Sequence, residues 1–214
     1  MIIRKSIKGE EIKELPQVTF TGEIITITSE LGIIEALEYL NNYEIVGIDS
    51  ETKPSFRKGK TNKVSLLQIA TIDRCFLIRL NHTGLTQPLI DFLENPEIIK
   101  IGLSLHDDFL MLHKRAPFEQ KGFIDIQKYV PQFGIKDKSL QKIYAILFNE
   151  RISKSQRMSN WERDELTQSQ KTYAATDAWA CLKIYNLLEE LKVNGQYVLQ
   201  PNCANTTDLT ETTK

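Results

Sequence analysis

The chain has 214 residues, with 41% hydrophobic and 26% charged side chains and a formal net charge of −1. That is enough for one well-buried domain of ordinary soluble composition, and the near-zero net charge gives no global sign of a polyanionic partner. Three scattered cysteines (Cys75, Cys181, Cys203) exclude a Cys-x-x-Cys zinc site and a disulfide framework, and the longest uncharged apolar-rich run, Val64 to Ile72, is far short of the ~20 residues that span a bilayer. With no signal-peptide-like segment in Met1–Pro16, the expected setting is reducing and cytoplasmic.

In chain order, residues 1–22 mix charges with isolated aliphatics and are read as an N-terminal extension. A domain is expected over 23–193, beginning with a β-branched strand from Glu23 to Thr28. Ser29 is placed to cap a helix carrying Ile33, Ile34, Leu37 and Leu40 at helical spacing. Ile45 to Asp49 reads as a strand buried on both faces. The loop Lys53–Lys63 follows, with five basic residues and no acid. Val64–Thr71 and Cys75–Leu80 are strand-like and joined at hairpin spacing. A helix over 85–93, a strand over 98–102, a helix entered through Leu103–Leu112 and a short strand over 124–126 come next. Leu140, Ile143, Tyr144 and Leu147 mark another helix, Arg151–Trp161 a polar basic connection, and 167–193 a long helix. Residues 194–214 form a polar tail, and the polar run from Pro201 predicts disorder there. Strands alternating with helices, plus one hairpin, predict a mixed α/β sheet covered by helices.

Carboxylates collect at the edges of these elements. Asp49 and Glu51, at i and i+2 of an extended chain, point to one side, where two like charges need a cation between them or a solvated strand end. Asp107 and Asp108 open a helix, where dipole complementation would also account for them. Tyr173 and Asp177 are four residues apart, on a helical face otherwise built of Ala and Cys.

Asp49-x-Glu51, then Gly102-Leu103-Ser104-Leu105-His106-Asp107-Asp108-Phe109-x-x-Leu112, then Ser159-Asn160-Trp161-Glu162 and Tyr173-Ala174-x-x-Asp177-Ala178, resemble the motifs of the ribonuclease D and Werner-type 3′–5′ exonuclease family, in its tyrosine subclass. The resemblance runs from about Ile24 to Leu191. It implies a single-domain ribonuclease H-like fold, a mixed β-sheet flanked by helices, and removal of 3′-terminal nucleotides from DNA or RNA as 5′-monophosphates with two Mg²⁺ or Mn²⁺ ions. The catalytic set it implies is Asp49, Glu51, Asp108, Tyr173 and Asp177, the four acids holding metal and Tyr173 orienting the attacking water. Asp107 is the alternative acid of the second motif.

Thr52, Arg57, Lys58, Lys60 and Lys154 are the candidate substrate contacts, with Phe56 a stacking candidate. Trp161 and Trp179 read as core or boundary aromatics, and His106 as an ordinary polar residue. Neither a membrane nor a protein partner is indicated. The other reading is a nucleic-acid-binding module on the same fold without catalysis; retention of all four acids and the tyrosine favours the enzyme.

Overall fold

The computed structural model describes residues 1–56, 59 and 61–200. It begins with a two-residue strand β1 (Ile2–Ile3), helix α1 (Gly9–Lys13) and strand β2 (Gln17–Val18), followed by β3 (Glu23–Ile27) and α2 (Glu30–Leu40). The Ser29 hydroxyl accepts the Gly32 N–H and so supplies one orphan donor of α2 with a partner. Next come β4 (Ile45–Thr52), β5 (Val64–Ala70), β6 (Arg74–Ile78), α3 (Leu80–Thr83), α4 (Gln87–Glu94), β7 (Ile99–Gly102) and α5 (Leu105–Leu112). The chain continues through β8 (Phe123–Asp125), α6 (Ile126–Tyr129), a 3₁₀ turn (Val130–Phe133), α7 (Leu140–Phe148), β9 (Arg151–Ile152), α8 (Gln168–Asn194) and β10 (Val198–Leu199). Thr167 and Gln170 form a reciprocal cap at the start of α8.

The main sheet has the order β3-β6-β5-β4-β7-β8. β5 runs antiparallel to both β4 and β6, while β3–β6, β4–β7 and β7–β8 are parallel. β4 is therefore one of the two central strands of the mixed sheet expected from the sequence. Both faces are covered, as seven consecutive buried residues in β5 require. α7 and α8 pack with Leu66, Ala70 and Ile101 on one face. α2 and α4 pack with Val46, Ile48, Leu67 and Ile69 on the other.

Three expectations are modified. β4 does not stop at Asp49 but continues to Thr52, because its antiparallel pairing with β5 persists past the end of β7 and breaks register only between Glu51 and Thr52. Residues 1–22, read as an extension, belong to the same body: Ile3, Ile7, Ile12 and Phe20 are buried in the α8-side core, and β2 pairs with β9. The polar segment after 193 is paired up to Leu199, where β10 lies parallel to β1; residues 201–214 lie outside the described residues. Among the described residues no helix is long and apolar enough to cross a membrane.

Candidate active site

Strand alternation places Gly47, Asp49 and Glu51 on the face of β4 that meets α8. A Cβ on Gly47 would lie 2.0 Å from the Ala178 carbonyl oxygen, so only glycine lets the helix approach this closely. Ala174, Ala175 and Ala178 are fully buried at that contact. The close approach sets Asp177, next to Ala178, against the two strand acids. Carboxylate oxygens of Asp49, Glu51 and Asp177 all lie within 4.8 Å of one another. One turn earlier on α8, the Tyr173 hydroxyl lines the same cleft as the Asp177 carboxylate and favours its ionised form. The Tyr173 ring packs on fully buried Trp161, centroid to centroid 6.1 Å.

The fourth acid arrives from the opposite direction. β4 pairs with β7 only as far as Gly47–Ile101, so Asp49 and Glu51 have no strand beside them on that side and a cleft opens there. The chain leaves β7 through Ser104 in the left-handed conformation (φ 62°), a turn that costs a serine of order 1 kcal/mol. Asp125, at the end of β8, offsets this by accepting the N–H groups of Ser104, Leu105 and Gln127 at 2.9, 3.2 and 2.9 Å. The start of α5 is thereby fixed beside β4, and Asp108 accepts a hydrogen bond from the Ser50 hydroxyl. Asp107 also faces the cleft but is exposed and makes no such contact.

The four carboxyl groups perturb one another as buried like charges must. Burial, then Asp177, Asp108 and Glu51, hold Asp49 well above the usual carboxylate range. Burial and then Asp177 and Asp108 push Glu51 up to about 9, with Arg157 opposing. Asp177 is raised to about 7 by burial, against the pull of the Tyr173 hydroxyl and Lys154. Asp108 is raised to about 6 by burial, against its Ser50 hydrogen bond. The Tyr173 phenol is raised by burial and then by Asp177, so it keeps its proton. Four oxygen-donor groups that cannot all ionise together fit a hard divalent cation, whose charge would let them do so.

These groups form one wall of a cleft of about 580 Å³. A second, basic part of its lining carries Lys138, Lys154 and Arg157, together with Gln127, Ser139 and Gln141. Its connection is anchored from below: the buried Arg79 guanidinium donates to the carbonyl oxygens of Arg163 and Asp164, and Lys53 pairs with Glu162 at 3.1 Å.

Asp49, Glu51, Asp108, Tyr173, Asp177 and Lys154 all line one cleft. Thr52 does not line it; the strand has lost register there. Arg57, Lys58 and Lys60 lie outside the described residues, while neighbouring Phe56 is 87% exposed. Sequence reasoning did not single out Ser50, Asp125 or Lys138. Only the Asp ending the short apolar run Phe123–Ile124 could have pointed to Asp125, as a strand-end acid like Asp49.

The sequence model of 3′–5′ exonucleases matches residues 24–192. A 3′–5′ exonuclease of Arabidopsis thaliana is 32% identical over 152 residues, covering 68% of this chain and 53% of that protein. The bifunctional 3′–5′ exonuclease/ATP-dependent helicase WRN of Mus musculus is 30% identical over 163 residues, 73% of this chain and 12% of that one. The chain therefore spans about half the length of the plant relative and a small part of WRN. The Aedes aegypti Nibbler EXO domain superposes with a TM-score of 0.74 at 22% identity, over 84% of this chain and 94% of that one. Trypanosoma brucei RNase D in complex with RNA U12 superposes with a TM-score of 0.68 at 16% identity, over 78% and 62%. Given a match across most of its length, with a ribonuclease H-like fold and the acids of all three motifs at one cleft, this chain belongs to the 3′–5′ exonuclease family, hydrolases of phosphodiester bonds.

Proposed function

We propose that this chain is a metal-dependent 3′–5′ exonuclease that shortens a nucleic acid from its 3′ end and releases nucleoside 5′-monophosphates. The observation that carries this reading is the convergence of Asp49, Glu51 and Asp177 within 4.8 Å in the lining of an open cleft. Together with Asp108 they would hold Mg²⁺ or Mn²⁺, two ions in all. Such ions, when bound, would lower the pKa of a coordinated water and offset the charge that develops on the leaving 3′-oxygen.

The chain's own groups do the rest. Asp108, turned toward β4 by Ser50, is the second-motif acid in preference to exposed Asp107. Tyr173 keeps its proton, so its hydroxyl positions the attacking water and does not act as a base. Lys138, Lys154 and Arg157 line the same cleft as the acids, where they would hold substrate phosphates, and Arg57, Lys58 and Lys60 extend that role by sequence position. A nucleic-acid substrate is in keeping with the RNA-bound state of the trypanosomal RNase D of like fold. The free thiols of Cys75 and Cys181 fit a reducing, cytoplasmic setting.

The test is digestion of 5′-labelled DNA and RNA oligonucleotides, single-stranded, duplex and recessed, with a dinucleotide alongside. A ladder shortened from the 3′ end in Mg²⁺ or Mn²⁺ and absent in EDTA is expected. Full turnover in chelator would sink the metal reading. Binding without shortening would leave a non-catalytic binding module, and cleavage of the dinucleotide alone a small-nucleotide phosphodiesterase.

A further inference from the structure

Gln68 lies in the middle of β5, and its side chain is completely buried. Neither its Oε1 nor its Nε2 has a hydrogen-bond partner. A buried carboxamide with two donors and an acceptor all unused is rare in a folded protein and is disfavoured in apolar surroundings. Those surroundings are apolar here: Leu66 and Ala70 flank Gln68 on the same face of β5 and belong to the core that also contains Ala174 and Ala178 of α8.

The register identifies what the carboxamide is beside. Gln68 is the direct cross-strand partner of Asp49, as Leu66 is of Glu51 and Ala70 of Gly47. Residues opposite one another in an antiparallel pair share a face, with Cβ atoms roughly 4.5–5.5 Å apart. Gln68 therefore stands on the α8 side of the sheet, next to the acid at the centre of the cluster. An ionised carboxylate has about four acceptor positions. The Ser50 backbone N–H beside Asp49 favours its ionised form. Metal ions would take some of those positions, and the Gln68 amide, on the cross-strand partner of Asp49, is a donor left unused beside the remainder.

Resting on the metal-dependent reading above, we infer that Gln68 is a positioning residue for Asp49: its Nε2 donates to the Asp49 carboxylate once cations occupy the site, fixing the orientation in which Asp49 ligates. The choice of side chain follows. A glutamate here would add a fifth negative charge to the cluster, and an aliphatic residue would leave Asp49 free to rotate. Glutamine supplies a donor without charge, at the cost of an unmatched polar group until metal arrives. Outer partners of metal ligands typically change metal affinity 10–100-fold when removed.

The experiment is calorimetric titration of Mn²⁺ into chelator-stripped protein without substrate, for the parent and for Gln68→Met, which keeps an unbranched chain of similar length. Weakening of Mn²⁺ binding by about 10–100-fold is expected, with a metal-free Tm that does not fall, since the unmatched amide has been removed. Affinity within two-fold of the parent overturns the proposal, as does a fall in metal-free Tm with affinity unchanged, which would assign Gln68 to packing. A parent that binds no Mn²⁺ overturns the metal reading as well. Should Gln68→Met not fold, the side-chain NH₂ resonances of glutamine-labelled parent protein decide. A shift of one buried NH₂ pair on Mg²⁺ addition supports the bond, and no shift in any pair refutes it.

Discussion

The two walls of the cleft are built by opposite means. The acidic wall stands on β4, α5 and α8, elements packed against the sheet, and its carboxyl groups are buried enough to move one another's pKa values. The basic wall stands on the stretch before α7 and the connection after β9, and Lys138, Lys154 and Arg157 are all exposed. Burial makes electrostatic interaction strong and position-sensitive, whereas exposed charges are screened by water and salt. The acidic wall should therefore govern the chemistry and carry stored repulsion, while the basic wall should govern how tightly a polyanion is held.

The largest expected effect comes from removing the central charge. Asp49→Asn keeps the volume and deletes the ligand, so turnover should fall ~100-fold or more, beyond the 10–100-fold typical of an outer partner. The same change relieves repulsion with Glu51, Asp108 and Asp177, so the metal-free Tm should rise, by about 2–4 °C per kcal/mol for a chain of this length. A metal-free Tm that drops by many degrees would show that Asp49 serves the fold and not the site. Tyr173→Phe comes next: loss of one orienting hydroxyl should cost up to ~100-fold in kcat with KM little changed. Equal kcat in single-turnover assays would reduce Tyr173 to its packing on Trp161.

Stored repulsion also has a pH signature of definite sign. Glu51 and Asp177 titrate near 4 when unfolded but at about 9 and about 7 in the metal-free fold. Over that window the folded state holds protons that the unfolded chain has released, so stability falls as pH rises. Tm in chelator should decline from pH 5 to pH 9, and Mn²⁺ should reverse the decline at the upper end. A metal-free Tm that climbs with pH would mean the acids are stabilised by partners within the fold.

The same contrast explains what the sequence reveals. β4, β5 and β6 announce themselves as short, nearly continuous apolar runs and α8 by its helical spacing, and the acids stand out against that background. The paired strands β1, β2, β9 and β10 are two residues each, too short for any period to register. Asp125 is invisible as the anchor of the Ser104 turn because that role, unlike its local cap on Gln127, depends on β8 lying beside β7. Gln68 is hidden by its own run: within Val64–Ala70 one glutamine reads as a tolerated polar residue until the register sets it opposite Asp49. The basic wall is legible only as charge, since exposed lysines on connections have the same pattern whether or not they touch a ligand.

The smallest effects are expected on that basic wall. Lys154 and Arg157 already act electrostatically on Asp177 and Glu51, which places their charges in range of anything bound between the walls. Each phosphate contact contributes about 0.7 to the slope of log affinity against log salt for a single strand. Lys154→Ala combined with Arg157→Ala should flatten that slope by up to ~1.4, raise KM several-fold and leave kcat at saturation nearly unchanged. The comparison sharpens with a second variant replacing Arg57, Lys58 and Lys60, which follow the acids of β4 in sequence, by Ala. If only the first variant loses salt dependence, the phosphates run along the 153–157 connection; if only the second does, they run along the loop after β4. A drop in kcat without a change in slope would contradict the division of labour between the walls, because it would make an exposed, screened cation part of the chemistry.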